Sequence, residues 1–137
     1  MKKTALIMFG ALTLVLLVTA GVGAANVSDV VDETPEKTIG LDYPSYGWAM
    51  KNDQGQITGY QGFNLGMGYS RKNYFEAGLK TEQFNPYWGW GTVGILVPYV
   101  NVGGDYVLEP KENGAFWTVG ASIGIPTAAH FTASYRF

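Results

Sequence analysis

From Thr38 to Phe137 the apolar and polar positions alternate with a period of two, as in extended strands whose faces meet different surroundings. Ile39, Leu41 and Tyr43 alternate with Gly40 and Asp42. Beyond Pro44-Ser45, Tyr46, Trp48 and Met50 alternate with Gly47 and Ala49. Pro44 either divides two short strands or bends one long one. Lys51 to Gly55 is a turn by composition. The longest alternation runs from Ile57 to Tyr69, with Ile57, Gly59, Gln61, Phe63, Leu65, Met67 and Tyr69 on one face and Thr58, Tyr60, Gly62, Asn64, Gly66 and Gly68 on the other, its second half purely apolar against Gly and Asn. At about 13 residues it exceeds the roughly 9 to 11 that a tilted strand needs to cross a bilayer.

Ser70-Arg71-Lys72-Asn73 reads as the next turn, followed by a strand in which Phe75, Ala77 and Leu79 oppose Tyr74, Glu76, Gly78 and Lys80. After a loop from Glu82 to Pro86, Tyr87 to Val97 loses its phase. Trp88 and Trp90 share one parity, Val93, Ile95 and Val97 the other, and a bulge near Gly91 would reconcile them. Pro98 marks a turn. Val100 to Leu108 and Phe116 to Ile125 alternate again, separated by the charged loop Glu109 to Gly114, and Pro126-Thr127-Ala128 leads into the last strand. There Phe131, Ala133, Tyr135 and Phe137 oppose His130, Thr132, Ser134 and Arg136.

One face of these strands is apolar, and the other is Gly, Ser, Thr, Asn or a rare charge. The Gly-rich face lacks the bulk to build a soluble core. Lipid outside and a polar lumen inside explain both faces. The expected fold is all-β: an up-and-down antiparallel transmembrane β-barrel, of eight short strands if Pro44 divides two, seven if it does not. Even numbers are the rule for single-chain bacterial barrels. Aromatic residues gather near predicted turns. Tyr46, Trp48, Tyr69, Trp88, Trp90, Tyr106 and Trp117 are the expected girdle at the membrane interfaces.

The N-terminus changes the setting. Lys2-Lys3, an apolar run from Thr4 to Val22 and small residues up to Ala25 read as a secretory signal peptide over residues 1–25. Residues 26–37, rich in Asp and Glu, are expected to be a flexible acidic leader, and residues 38–137 the barrel. Removing Lys2 and Lys3 leaves seven Lys or Arg against eleven Asp or Glu, a net charge of −4. That is no field for nucleic acid. Cysteine is absent, which excludes disulfides and thiolate metal sites. No paired-carboxylate motif, phosphate loop or metal-spaced His cluster stands in the sequence, so no cofactor or metal is expected.

An eight-stranded barrel is just wide enough inside for its own side chains. Glu76, Lys80, Asp105 and Arg136 are expected there as a polar network, because a buried charge without a partner is costly. The three function classes are a structural or surface barrel with a filled lumen, a narrow channel for ions or small solutes, and a lipid-modifying enzyme. For the last, His130 with Thr132 or Ser134 is the available base and nucleophile. No Ser-His-acid spacing of lipid A deacylases is recognisable, and the expectation is that the chain is not an enzyme.

Val97-Pro98-Tyr99-Val100-Asn101-Val102-Gly103-Gly104-Asp105-Tyr106, with Phe116 to Gly124, resembles the hairpins of small opacity-protein and OmpA-like outer-membrane barrels. The final strand, with Phe131, Tyr135 and the closing Phe137, resembles the C-terminal assembly signal of such barrels. These resemblances imply eight strands, residence in the bacterial outer membrane, contact with its lipid and lipopolysaccharide, and recognition by the barrel-assembly machinery. They also set up a conflict. A periplasmic Phe137 puts the long Glu109–Gly114 loop in the periplasm, whereas such barrels carry their longer loops outside; the hairpin pattern would instead put Phe137 outside.

Overall fold

A computed structural model describes residues 25–30, 34–126 and 128–137. Most of the expected signal peptide lies outside the described residues. Eight strands follow in chain order: β1 Lys37–Leu41, β2 Tyr46–Lys51, β3 Ile57–Phe63, β4 Tyr69–Tyr74, β5 Phe84–Val93, β6 Val97–Val107, β7 Phe116–Ile125 and β8 Ala128–Arg136. Each pairs antiparallel with the next, and β1 pairs with β8 through Thr38↔Arg136 to Leu41↔Ala133, so the sheet closes on itself. The all-β, up-and-down, eight-stranded barrel is the architecture that the alternation predicted, and Pro44 does lie between two strands.

The boundaries differ in the middle of the chain. The long alternation from Ile57 breaks after Phe63. Asn64 to Gly68 is a tight turn, and Ser70 to Asn73, expected as a turn, forms the body of β4. Asn64 builds that turn with its side chain: its Oδ1 accepts the N–H groups of Gly66 and Gly68 at 3.1 and 2.9 Å. A Cβ on Gly68 would collide with the Thr92 carbonyl, so the chain can pass there only as glycine. Leu65 and Met67 hide the turn in the sequence because they continue the apolar parity. Residues 75–80, expected as a strand, instead form a loop whose one ladder contact among the described residues is a bridge from Lys80 to Asn26.

The bulge expected near Gly91 is also absent. β5 and β6 stay in unbroken register from Phe84↔Tyr106 to Val93↔Val97. The phase is lost because the strand ends: Gly94 takes φ +63, and Gly94-Ile95-Leu96 turns the chain. Pro98 then sits inside β6 opposite Thr92. The one recorded slip in the β2–β3 pairing lies between Met50 and Lys51.

The closed ladder gives the barrel two unlike rims. One holds Lys37, Phe137, the turn 52–56 and the longer loops 75–83 and 108–115; the other holds the turns 42–45, 64–68 and 94–96 and, between β7 and β8, Pro126. The long loops therefore share a rim with the C-terminus. At that rim the leader is partly anchored. A one-turn helix, α1 (Val27–Val30), follows Asn26, and the Val27 N–H donates to the Leu79 carbonyl at 2.6 Å. Val27 is buried with Ile57, Leu79, Val107 and Phe116 in an apolar plug under the loops.

A side chain at position 68 tests the turn that redraws the middle of the barrel. Gly68→Val should lower the yield of refolded barrel severely, read as loss of strand signal in circular dichroism. A normal yield would place the β3–β4 turn elsewhere.

Candidate functional site: the charged interior

Below the apolar plug, the interior is a layer of charges contributed by different parts of the ladder. Inward parity brings Lys72 from β4, Asp105 from β6 and Arg136 from β8, while Asp42 enters from the β1–β2 turn; all four are buried. Lys72 Nζ donates to Asp42 Oδ2 at 2.6 Å and to Asp105 Oδ2 at 2.8 Å. Arg136 Nη2 stands 3.4 Å and 3.6 Å from the same two oxygens. Two cations face two carboxylates, so the group as a whole is neutral. That is the condition under which charges tolerate a low-dielectric interior.

Hydroxyls and rings supply part of the remaining bonding capacity, while Asp105 Oδ1 and Arg136 Nε have no hydrogen-bond partner among the described residues. Tyr74 donates to Asp105 Oδ2 at 2.7 Å, Ser134 donates to Asp42 Oδ2 at 3.2 Å, and Arg136 Nη1 donates to Thr38 Oγ1. The Lys72 ammonium lies 4.0 Å from the centroid of Tyr87, and the Arg136 guanidinium 3.9 Å from that of Tyr60. Both cations thus gain from the ring quadrupoles where water is excluded. Tyr60, Tyr74 and Tyr87 meet edge to face at 6.4 and 6.1 Å. These rings and ion pairs pack against one another inside the barrel. Arg136 and Thr38 also join the last strand to the first, so the network holds the seam where the barrel closes.

Toward the turn rim the interior becomes polar but uncharged. Tyr99 donates to Ser70 at 2.8 Å, and Asn64 Nδ2 lies 3.0 Å from the same hydroxyl. His130 Nε2 lies 3.0 Å from Ser122 Oγ, its neighbour across the β7–β8 ladder, and its ring packs edge-on against Tyr43. The candidate partners named from sequence, Thr132 and Ser134, share its strand face, but the contact is made by Ser122. Among the described residues, Ser122 is the hydrogen-bond partner of His130.

Of the four residues expected in the lumen network, Asp105 and Arg136 lie within it. Glu76 and Lys80 pair with each other at 2.6 Å on the 75–83 loop, where Glu76 is exposed. Asp42 and Lys72 were not singled out from the sequence. Lys72 was hidden by the apparent turn Ser70–Asn73; parity shared with Tyr74 was the available signal. Asp42 lies two residues before Pro44, although its alternation with Ile39 and Leu41 already marks it as inward.

On the outside, Trp48, Trp88, Trp90 and Trp117 are exposed in the company of Val100, Val102, Val119 and Phe131, while Tyr46 is exposed and Tyr69 and Tyr106 are half-covered. Tyr69 packs on Trp90, Tyr106 on Phe84, and Trp117 on Tyr135, which stacks on Phe137. The residues of the expected assembly signal thus lie on the outer wall of β8 and its end.

Removing one member of the charged layer strands its partner in a buried site. Asp105→Ala and Lys72→Ala should each lower unfolding stability by about 3–5 kcal/mol in urea titrations. The Glu76→Ala change should be near neutral, as for an exposed pair. Equal effects from all three would dismiss the interior network as the stabilising element.

No protein-family model, no curated protein and no solved structure matches the chain.

Proposed function

We propose that the chain is a small bacterial outer-membrane barrel with a structural or surface role, its lumen filled by its own side chains. The observation that carries this reading is the inversion of polarity across the wall. Lys72, Asp105 and Arg136 are sealed inside, while Phe131, Val102 and Trp88 face outward. In water that distribution would leave the apolar side chains unburied and the charges desolvated, the reverse of what the hydrophobic effect favours. In lipid it satisfies both groups.

The closed ladder supports the same reading, since closure leaves no unpaired edge to expose to hydrocarbon. So does the resemblance of the β6–β7 hairpin to opacity-type and OmpA-like barrels. On this reading the partners are the surrounding lipid or lipopolysaccharide, and the barrel-assembly machinery engages the strand ending in Phe131, Tyr135 and Phe137. The filled cross-section favours a plugged lumen over a channel. Ion pairs and edge-to-face tyrosine rings take up space that a conducting path would need.

Planar-bilayer recording of the purified chain tests the plugged lumen. The wild-type barrel should give no stable conductance steps. Unitary steps that change size in Asp105→Asn would establish a channel through this layer and overturn the proposal.

A further inference from the structure

The two rims differ in more than loop length. Asp53, Glu76, Glu82, Lys111 and Glu112 all crowd the terminal rim. At the turn rim, Asp42 points into the lumen, and no turn carries an exposed charge among the described residues. Its tips are apolar and bare instead: Leu65 is 76% exposed, Met67 85%, Ile95 83%, Leu96 86% and Ile125 76%. They adjoin the apolar residues of the outer wall, Phe63 beside Leu65 and Val97 beside Leu96.

A comparison within the chain isolates the difference. Turns 52–56 and 64–68 share one scaffold, an Asn whose Oδ1 accepts the N–H groups two and four residues on. At the terminal rim this scaffold displays Asp53 and Gln54; at the turn rim it displays Leu65 and Met67. The backbone solution is the same and only the surroundings it suits have changed. In 64–68 every N–H has an internal acceptor: Asn64 donates to the Gly68 carbonyl, Leu65 to Ser45 Oγ, Gly66 and Gly68 to Asn64 Oδ1, and Met67 to the Asn64 carbonyl. Hydrocarbon imposes that requirement, because it offers no water to an orphan donor.

Strand lengths bear on depth. β5 to β8 have 10, 11, 10 and 9 residues, no more than the roughly 9 to 11 that a tilted strand needs to reach the far side of the hydrocarbon. β1 to β4 have only 5, 6, 7 and 6. On that side the turns lie short of any far aqueous surface. The outer wall there carries Arg71 and Asn73, which bond each other at 3.0 Å and sit opposite Trp90 and Trp88 in the ladder. An arginine beside tryptophans suits the headgroup level, with its stem along the wall and its charge in water.

Resting on the membrane reading above, we propose that the turn rim ends inside bilayer hydrocarbon, with lipid acyl chains as the occupant of its apolar tips. The barrel then meets water at one rim only, the one that holds the charged loops and Phe137. Such a barrel is immersed tip-first and does not present a second wet face.

The cysteine-free chain allows single labels. Leu65→Cys, Leu96→Cys, Asp53→Cys, Glu112→Cys and Val102→Cys, each carrying an environment-sensitive fluorophore, are reconstituted into phosphatidylcholine–phosphatidylglycerol vesicles. Labels at 65 and 96 should lose emission to nitroxides placed along the acyl chains and keep it with iodide on either side of the bilayer. Labels at 53 and 112 should respond to iodide. Iodide quenching at 65 or 96, with Val102 still quenched by lipid, overturns tip-first immersion and leaves the membrane reading standing. Tips shielded from both quenchers are covered by protein, a second copy included, and that also overturns it. Iodide quenching at Val102 instead defeats the membrane reading itself. A pair of charged tips, Leu65→Glu with Leu96→Glu, should fold in detergent yet lose lipid quenching at 102 in vesicles; unaltered lipid quenching at 102 in that variant contradicts the proposal.

Discussion

Everything in this barrel turns on the placement of Lys72 between Asp42 and Asp105, with Arg136 against the same two carboxylates. Four charges in a water-poor interior are tolerable only as a neutral, mutually bonded set. Their side chains come from the β1–β2 turn, β4, β6 and β8, so the set can form only when the sheet has closed in one register. A slip of one residue would turn the charges outward and bring valines and tryptophans in. The network is thus less a source of net energy than a device that selects one register among several.

That interior dictates the exterior. Once inward positions are given to charges, tyrosines and glycines, the apolar residues of the alternation have only the outer wall to occupy. Val27, Ile57, Leu79, Val107 and Phe116 are the exception, and they gather under the long loops, where they shield the ion layer from water at that rim. The interior is therefore layered: an apolar plug, a neutral charged layer, then hydroxyls and amides around Ser70, Asn101 and Ser122. Outside, the charges of the terminal rim and the apolar tips of the turn rim give the barrel a direction along its axis.

The strand count and the inside-out polarity were legible because period-two alternation reports burial directly, whatever the two environments are. Arg136 and Asp105 were legible for the same reason, as charges on the Gly-rich face. Boundaries were harder where a turn kept the parity of its strands. Asn64-Leu65-Gly66-Met67-Gly68 carries apolar residues at the alternating positions, so its turn chemistry was masked, and β4 with Lys72 was displaced into a supposed turn. The mirror error put Glu76 and Lys80 on a strand, since 75–80 alternates by accident of a loop. Contacts across the ladder, such as Ser122 with His130, depend on register, which no single strand encodes.

The central claim is that the outer wall is built for lipid, and the most direct measurement is sedimentation of the folded chain as detergent is withdrawn. The wall of Val100, Val102, Val119 and Phe131 predicts that the monomer persists only with bound detergent or lipid and associates or precipitates without it. A folded, monodisperse monomer in detergent-free buffer would contradict the account.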